Sequence, residues 1–342
     1  VFFYSEGEVR LEVPAGEMTV TVVQGFETPE QKHTIQVKPR ETMKTSIEMQ
    51  AIWDASESGW YAADNHFHLN YGGNYRLQPE DIVPDLKGEG VDVAFPLLAN
   101  LHNRFLQQEL WGWSRTEPPF IFIGQEIRSH FLGHVEQIGS DELFWPWVWG
   151  PSYQLYATDD RPNAEALRHA REHGGLGGYV HPVPVHAPFS PDSPNSVPIG
   201  FVADAVLREV DFIEVACLYT SEIGTAAVWH AVLNLGIPLA ASAGSDVMND
   251  YYRTMAIGGT RVYVRPKGDL NEESFLAALK QGRSFVSNGP LLEFSVEGAG
   301  PGESVDPVDG QISWTPEVHT DIPYQRLEIL VKGHPEQSFY CK

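Results

Sequence analysis

Two histidines separated by one residue, His66 and His68, stand near the end of an apolar stretch that reads as a β-strand. On a strand, residues two apart point to the same side, so both imidazoles project together, with Asp64 behind them on that face. Neutral imidazole is the commonest metal ligand, and Gly72 and Gly73 then end the strand in a loop. The pair predicts half of a metal site, although such a motif taken singly is more often structural.

Further histidine and acidic residues stand at or just after the C-terminal ends of later strand-like segments. They are His102, Glu126, His134, His181 and Asp246. In a β/α barrel all strand ends of this kind face one mouth, so the scattered residues form a cluster with the first pair. Nitrogen and carboxylate donors suit Zn, Mn or Fe, and no thiol is present to select a softer ion. Taken singly, the histidines at 134 and 181 could equally be core or helix-end residues.

The segments that position this cluster alternate between two periodicities. Strand-like runs cover Val91–Leu98, Phe120–Ile127, 175–181, Val210–Leu218, Pro238–Gly244 and Thr260–Val264. Helix-like runs cover Asn163–His173, Thr225–Leu235 and Asn271–Lys280. Strands that alternate with helices predict a parallel sheet, and about seven such units predict an α/β fold with a closed, irregular β/α barrel.

The flanking segments alternate apolar and polar residues, with turn residues between the short runs. This pattern predicts three parts: an N-terminal β-sandwich-like module over 1–55, the barrel over 56–290, and a C-terminal β module over 291–342. The N-terminal module is expected to contribute no metal ligand, because its only histidine is His33. The chain begins at Val1 in mid-pattern and stops abruptly at Lys342, so we expect a fragment.

Composition restricts the class of partner. Lys and Arg number 23 against 46 Asp and Glu, which gives a net charge of −23. So negative a surface predicts no nucleic-acid partner and a small-molecule substrate instead. No apolar run is long enough to span a membrane. The two cysteines form no disulfide framework and leave the compartment open, with a periplasmic or extracellular location favoured. The oligomeric state stays open.

An ordered set of motifs over residues 58–295 resembles the CehA/McbA-like metallohydrolases of the PHP (polymerase and histidinol phosphatase) superfamily. The motifs are Gly59-Trp-Tyr with Asp64-x-His-x-His68, Gly124-Gln-Glu126, Gly133-His134, His181-Pro182, Asn234-Leu-Gly-Ile-Pro238 with Ser245-Asp246, and Gly282-Arg-Ser-Phe-Val-Ser-Asn-Gly-Pro290. The resemblance implies a distorted, seven-stranded β/α barrel with two or three clustered divalent ions. It assigns one ion to His66, His68, Glu126 and Asp246. It assigns a second ion to Glu126, as a bridge, with His134 and His181.

Two positions depart from the pattern of that family. Leu101 replaces the acidic residue that stands beside the histidine at 102, and Met248 replaces a histidine. Thioether sulfur is a poor ligand for hard divalent ions, so the third ion is doubtful.

The favoured hypothesis is two-metal hydrolysis of an ester bond, in which the ions lower the pKa of a water molecule and polarise the substrate. His102 would protonate the leaving group or form a hydrogen bond with the substrate, and Arg128 and Arg253 would neutralise an anionic oxygen. Both arginines could instead form structural ion pairs. The resemblance implies phosphoester chemistry first, with carbamate or carboxyl ester cleavage as the alternative. A degenerate, non-catalytic binding module pinned by metal is the alternative of another class, favoured by the losses at 101 and 248.

Substrate contacts are expected from residues around the mouth. His130 and Asn103 follow strand ends, and Trp145 and Trp147 belong to the run Phe144–Trp149. With Trp111 and Trp113 this run is expected to wall one side of the mouth, because alternate rings share a face of an extended segment. The alternative is a hydrophobic lid packed on the barrel.

Overall fold

The computed structural model describes residues 2–71, 76–101, 104–105, 107–129, 131–149, 161–250, 255–307 and 309–340. At the N-terminus, β1 (Gly16–Gln24) and β2 (Thr28–Val37) pair as one antiparallel hairpin. The sequence predicted a β-sandwich here, and the remaining described residues up to 55 add no strand. Apolar and polar residues alternate in both cases, so the pattern could not distinguish a hairpin from a sandwich.

The hairpin contacts the barrel near Gly88 and Arg261. Its turn donates a hydrogen bond from Gly25 N to Gly88 O over 3.1 Å. The Arg261 guanidinium lies 3.9 Å from the centroid of the Phe26 ring. A two-stranded hairpin is marginal in water, so these contacts with the barrel stabilise it.

One mixed sheet forms the body of the chain. Its strands and the short strands beside it are β3 (Tyr61–His68), β4 (Val93–Leu98), β5 (Asn100–Leu101), β6 (Arg104–Phe105), β7 (Ser114–Arg115), β8 (Phe120–Phe122), β9 (Gly124–Ile127), β10 (Val135–Ile138), β11 (Leu176–Tyr179), β12 (Phe212–Ala216), β13 (Ala240–Ala243), β14 (Val247–Met248), β15 (Arg261–Val264) and β16 (Ser284–Ser287). The spatial order is β13-β12-β11-β10-β9-β4-β3-β15-β16, and β5 and β6 pair separately. The two ends of this order approach each other, since Ser284 Oγ on β16 donates to Ala241 O on β13 over 2.8 Å.

Helices pack around the sheet. They are α1 (Val83–Glu89), α2 (Ala164–Glu172), α3 (Ile199–Val206), α4 (Glu222–Asn234) and α5 (Glu272–Lys280), with short 3-10 helices at Pro79–Ile82 and Gln108–Leu110. The last two α-helices have side-chain N-caps, because Ser221 accepts from Gly224 N and Asn271 accepts from Ser274 N. The fold is therefore mixed α/β with a large, nearly closed sheet, which agrees with a distorted barrel.

The prediction of a wholly parallel sheet is wrong. Neighbours β3 and β4 are parallel, but β10 runs antiparallel to both β9 and β11, and β15 runs antiparallel to both β3 and β16. Strand β10, which sequence reasoning missed, follows β9 after a short loop that includes His134. A short loop returns the chain antiparallel, whereas a parallel neighbour needs a crossover of a dozen residues or more.

Small residues let the strand ends near the cluster approach closely. A Cβ added to Gly244, just after β13, would lie 2.3 Å from the Cβ of His66. Only glycine therefore allows the backbone after β13 to pass this close to β3.

After the barrel the chain forms two further antiparallel hairpins. Strand β17 (Leu291–Val296) pairs with β18 (Trp314–His319), and β19 (Arg326–Val331) pairs with β20 (His334–Tyr340). The division of the chain into three parts stays a prediction. Within the described part of the chain, no helix combines the length and the apolar composition that a membrane crossing requires.

Candidate metal centre

Six polar side chains meet at one mouth of the sheet, brought there by five different strand ends or loops. His66 and His68 end β3, and Glu126 lies on β9. His134 precedes β10, His181 follows β11, and Asp246 follows β13. These are the six residues that the sequence analysis assigned as metal ligands, and their ligand role stays a prediction.

Asp246 is the first of two carboxylates around which the histidines gather. Its Oδ1 lies 3.0 Å from His68 Nε2 and 3.3 Å from His66 Nε2. Its Oδ2 lies 3.9 Å from His181 Nε2. One ligand atom each from His66, His68 and Asp246 fall within 4.8 Å of one another, a separation that suits a shared ion.

Glu126 is the second carboxylate. Its Oε1 lies 2.8 Å from His134 Nδ1 and 3.5 Å from His181 Nε2, while its Oε2 lies 3.6 Å from His68 Nε2. A second group of ligand atoms within 4.8 Å of one another comes from His66, Glu126 and His181. The two carboxylates therefore share histidines, as expected of ligands to neighbouring ions.

Backbone and side-chain acceptors orient two of these imidazoles. His68 Nδ1 faces Leu97 O at 3.0 Å, and His66 Nδ1 faces Glu214 Oε1 at 3.1 Å. Hydrogen bonds from both Nδ1 atoms to these acceptors would leave each Nε2 with a lone pair towards the mouth. Glu214 also accepts from the backbone N of His181 through Oε2 over 2.6 Å, so one buried carboxylate orients two predicted ligands.

The electrostatics fit cation binding. Burial acts against ionisation of Glu126, but Arg128 and hydrogen bonds from His134 and His181 hold the pKa of Glu126 well below its ordinary value. Burial lowers the pKa of His134 to about 4, so its imidazole is neutral at pH 7. The pKa of His66 is raised well above its ordinary value despite burial, by Asp246 and Glu214. A metal ion would displace that proton, so binding is expected to release protons.

Two buried polar atoms of the predicted ligands indicate whether the site fits a metal ion. Glu126 Oε2 and His66 Nε2 are both buried, and neither makes a hydrogen bond with a residue that the structure describes. A buried polar atom without a partner costs about 1–3 kcal/mol, and a coordinated ion would supply the missing partner for both. The donor set of imidazole nitrogen and carboxylate oxygen suits Zn, Mn or Fe.

The backbone is strained at two of the predicted ligands. His181 has φ 32° and Asp246 has φ 48°, both in the left-handed region that non-glycine residues rarely adopt. Strain of this kind costs on the order of 1–3 kcal/mol and persists only where surrounding contacts impose it. At Asp246 the backbone N donates to His66 O over 2.6 Å, which fixes the turn against β3.

Sequence reasoning placed Asp64 behind the histidine pair without giving it a role, and it missed two further buried carboxylates, Glu214 and Glu136. Asp64 accepts hydrogen bonds from the backbone and hydroxyl of Ser245 and from Gly258 N, and burial raises its pKa to about 6. Glu214 and Glu136 are both buried, and within the described part of the chain neither oxygen of Glu136 has a hydrogen-bond partner. An acidic residue inside an apolar strand, as in Phe212-Ile-Glu-Val-Ala216, was the available signal.

Several predicted site residues lie outside the described residues. These are His102, Asn103, His130 and Arg253. Their catalytic and substrate-binding roles stay predictions.

Arg128 does lie at the site. Its Nε is 3.6 Å from Glu126 Oε2, and its guanidinium is 5.4 Å from the centroid of the Tyr71 ring. Its side chain is 15% exposed, which places the cation beside the carboxylate and still open to the mouth.

Met248 lies on β14 beside β3 and is half-buried.

The tryptophan run does not form the continuous wall that alternation predicted. Trp145 is 54% exposed, whereas Trp147 and Trp149 have no exposed surface. Trp147 packs with Trp111 and Trp113 in a hydrophobic cluster, so this ring offers no surface to a ligand. The enclosed position of Trp147 fits the alternative of a hydrophobic lid packed on the barrel. A substrate contact by Trp145 stays a prediction.

Glu214→Gln is expected to weaken metal binding without unfolding the chain. The amide keeps the shape but loses the charge that orients His66, and such partners of a metal ligand are typically worth about 10–100-fold in affinity. Metal titration of the purified variant would measure this. Glu222→Gln, at a half-buried residue that begins α4, is the control and should bind metal like the wild type. Unchanged affinity in Glu214→Gln would show that this carboxylate does not orient a ligand.

Comparison with known proteins supplies similar solved structures only. No protein-family model matches the sequence. No curated protein matches it either. One similar structure is a two-domain protein from Bacteroides vulgatus ATCC 8482, described as containing a predicted PHP-like metal-dependent phosphoesterase. The similarity has a TM-score of 0.43 and 20% sequence identity, and it covers 67% of this chain and 64% of that chain. The chain thus spans less than two thirds of that structure's length.

Two structures of Endonuclease Q are also similar. The enzyme from Pyrococcus furiosus has TM-score 0.42 and 16% identity over 66% of this chain and 57% of that chain. A complex with a 27-mer duplex that carries an abasic lesion at the active site has TM-score 0.42 and 16% identity over 65% and 56% of the two chains.

The second of these structures corrects one expectation. The sequence analysis excluded nucleic acid as a partner on net charge, yet Endonuclease Q holds a DNA duplex. The exclusion is therefore wrong. Net charge averages over the whole surface, whereas binding depends on the local potential at the site.

Proposed function

We propose that the protein is a metal-dependent hydrolase that cleaves ester-type bonds at the mouth of the barrel, with phosphoesters as the first substrate class. We further propose that it is a CehA/McbA-like member of the PHP superfamily. The observation that carries the proposal is the convergence of four histidines on two carboxylates, Glu126 and Asp246, that share two of those histidines. Two bound divalent ions would supply Lewis acidity, polarising the ester and lowering the pKa of the attacking water.

The residues of the chain hold and orient the reacting groups. Glu126 and Asp246 supply negative charge at the centre, and Glu214 fixes the orientation of His66. Arg128 is placed to neutralise an anionic oxygen of the substrate, because its guanidinium borders Glu126 and is partly open to the mouth. The burial of the ligands strengthens these electrostatic interactions, since effective dielectric is low there.

Phosphoester cleavage is ranked first on the resemblance described above. Carbamate and carboxyl esters are the alternative substrates, and nucleic-acid phosphodiesters belong among the phosphoesters to be tested. A non-catalytic binding module is the alternative of another class.

The test is a panel of chromogenic and nucleic-acid esters, assayed with metal-free protein before and after addition of Mn²⁺ or Zn²⁺. We expect turnover of a phosphoester that a chelator abolishes and metal restores. The variant His181→Gln should lose this metal-dependent turnover. His173→Gln is the matched control, because it belongs to a separate surface group with Glu142 and His169 that shares no residue with the mouth. Metal bound at the mouth with no ester hydrolysed would refute the enzyme and favour the binding module.

A further inference from the structure

A cavity of about 520 Å³ opens beside two of the predicted metal ligands. His134 and His181 border it on one side, with side chains 10% and 16% exposed. The rest of the lining includes Phe131, residues from the two ends of the Pro-rich segment 182–198, and Ile199 at the start of α3. A volume of this size is within the range of pockets that hold small ligands.

The wall of this cavity is open to solvent and combines exposed apolar side chains with polar ones, among them the exposed Asn195. Phe131 is 57% exposed and Ile199 is 52% exposed. Of the polar groups, Ser196 Oγ already donates to Pro188 O over 3.0 Å, and Ser129 Oγ accepts from Leu132 N over 3.2 Å. Among the described lining residues none is Lys, Arg, Asp or Glu. An apolar group placed there removes apolar surface from water on both sides, which is favourable.

The cavity is held in shape by its surroundings. Asn163 Nδ2 donates to Gly133 O over 2.9 Å and to the Tyr179 hydroxyl over 3.1 Å, and that hydroxyl donates to Asp204 Oδ2 over 2.7 Å. This chain of bonds ties the segment before His134 to α3. A rigid, preformed pocket binds more tightly, because less conformational freedom is lost on binding.

We infer that this cavity is a subsite for an uncharged ring of the substrate, with the ester group of the substrate lying at His134 and His181. The inference rests on the proposed function and specifies its substrate class. The ring has two chemical sources, an aryl group of a small ester or a nucleobase of a nucleotide. Both are planar and uncharged, and both gain from contact with Phe131.

The first test changes the wall without touching the predicted ligands. Ile199→Asp places a charge in the cavity, and Ile223→Asp is the matched control. Both isoleucines are exposed and stand in the first turn of a helix, where an acidic residue is tolerated, and Ile223 is not part of the cavity lining. With a 4-methylumbelliferyl ester and the methyl ester of the same acid, we expect Ile199→Asp to lower the aryl-to-methyl ratio of kcat/KM by about tenfold or more. An unchanged ratio would overturn the subsite.

The second test measures binding alone, in metal-free protein. 4-Methylumbelliferone is titrated by fluorescence, and adenosine is added as competitor. We expect saturable binding that weakens about tenfold in Ile199→Asp and in Phe131→Ala, and not in Ile223→Asp. Competition by adenosine identifies a nucleobase as the ring, and its absence identifies a small aryl group. No binding by wild type, or equal binding by all three variants, would contradict the inference.

The two tests separate the subsite from the proposed function. Ring binding that depends on Ile199 in a protein that hydrolyses no ester would refute the function and support the subsite. Metal-dependent hydrolysis that does not depend on Ile199 would support the function and refute the subsite.

Discussion

Glu126→Gln is expected to reduce bound metal from about two ions per chain to one or none, a larger loss than any single histidine change causes. Glu126 lies within 3.6 Å of nitrogens of His68, His134 and His181, so it contacts both predicted ion positions. The amide removes the negative charge between two cations. Unit charges about 4 Å apart interact by about 4 kcal/mol at an effective dielectric of 20, and divalent charges by several times more.

The matched control for this change is Glu136→Gln. Glu136 pairs directly with Glu126 across β9 and β10 and is equally buried, but among the described residues it belongs to none of the groups whose ligand atoms lie close enough together to hold an ion. We therefore expect Glu136→Gln to retain metal. His134→Gln should lose only one ion, since a terminal ligand can be replaced by water. Metal analysis of the three purified variants measures the outcome, and equal metal content in Glu126→Gln and Glu136→Gln would refute a bridging role.

Asp64→Ala is expected to destabilise the metal-free protein by several kcal/mol and to disorganise the cluster. The fully buried carboxylate accepts from Ser245 Oγ at 2.6 Å, Gly258 N at 2.7 Å, Ser245 N at 2.9 Å and His66 N at 3.1 Å. Removing it leaves buried donors without an acceptor, and removal of a buried charged partner typically costs about 3–5 kcal/mol. The turn that presents Asp246 depends on two of these bonds, so metal affinity should fall as well.

Asp204→Ala is the control for this change. Asp204 is also buried, but its one side-chain bond among the described residues is with the Tyr179 hydroxyl. Its loss should cost about 1–2 kcal/mol. Denaturant unfolding in the presence of chelator gives the free energies without the contribution of bound metal. A cost for Asp64→Ala no greater than that for Asp204→Ala would show that the four bonds do not stabilise the turn.

Local patterns in the sequence predicted the strand ends and the residues they present. The alternation at His66 and His68 placed both imidazoles on one face, because side chains alternate along a strand. The run of small residues ending at Gly244 predicted a buried strand followed by Asp246, and the structure has β13 there. Helices α2, α4 and α5 also start and end close to the predicted positions, because caps and glycines mark helix ends locally.

The pairing of strands that are distant in the chain could not be predicted from local sequence patterns. Strand β10 is only four residues long, and the sequence carries no sign that it runs antiparallel between β9 and β11. Alternation in the N-terminal residues fits a hairpin as well as a sandwich, because the pattern shows which residues share a face and not which strand lies beside them.

The sequence by itself determined which side chains stand at the strand ends and what donors they offer. Only the tertiary structure decided that Glu214 orients His66, that Asp64 holds the turn of Asp246, and that Trp147 is enclosed while Ile199 faces a cavity. These relations join residues up to 181 positions apart along the chain. Secondary-structure periodicity extends over a few residues, whereas such contacts depend on how the whole sheet curves and closes.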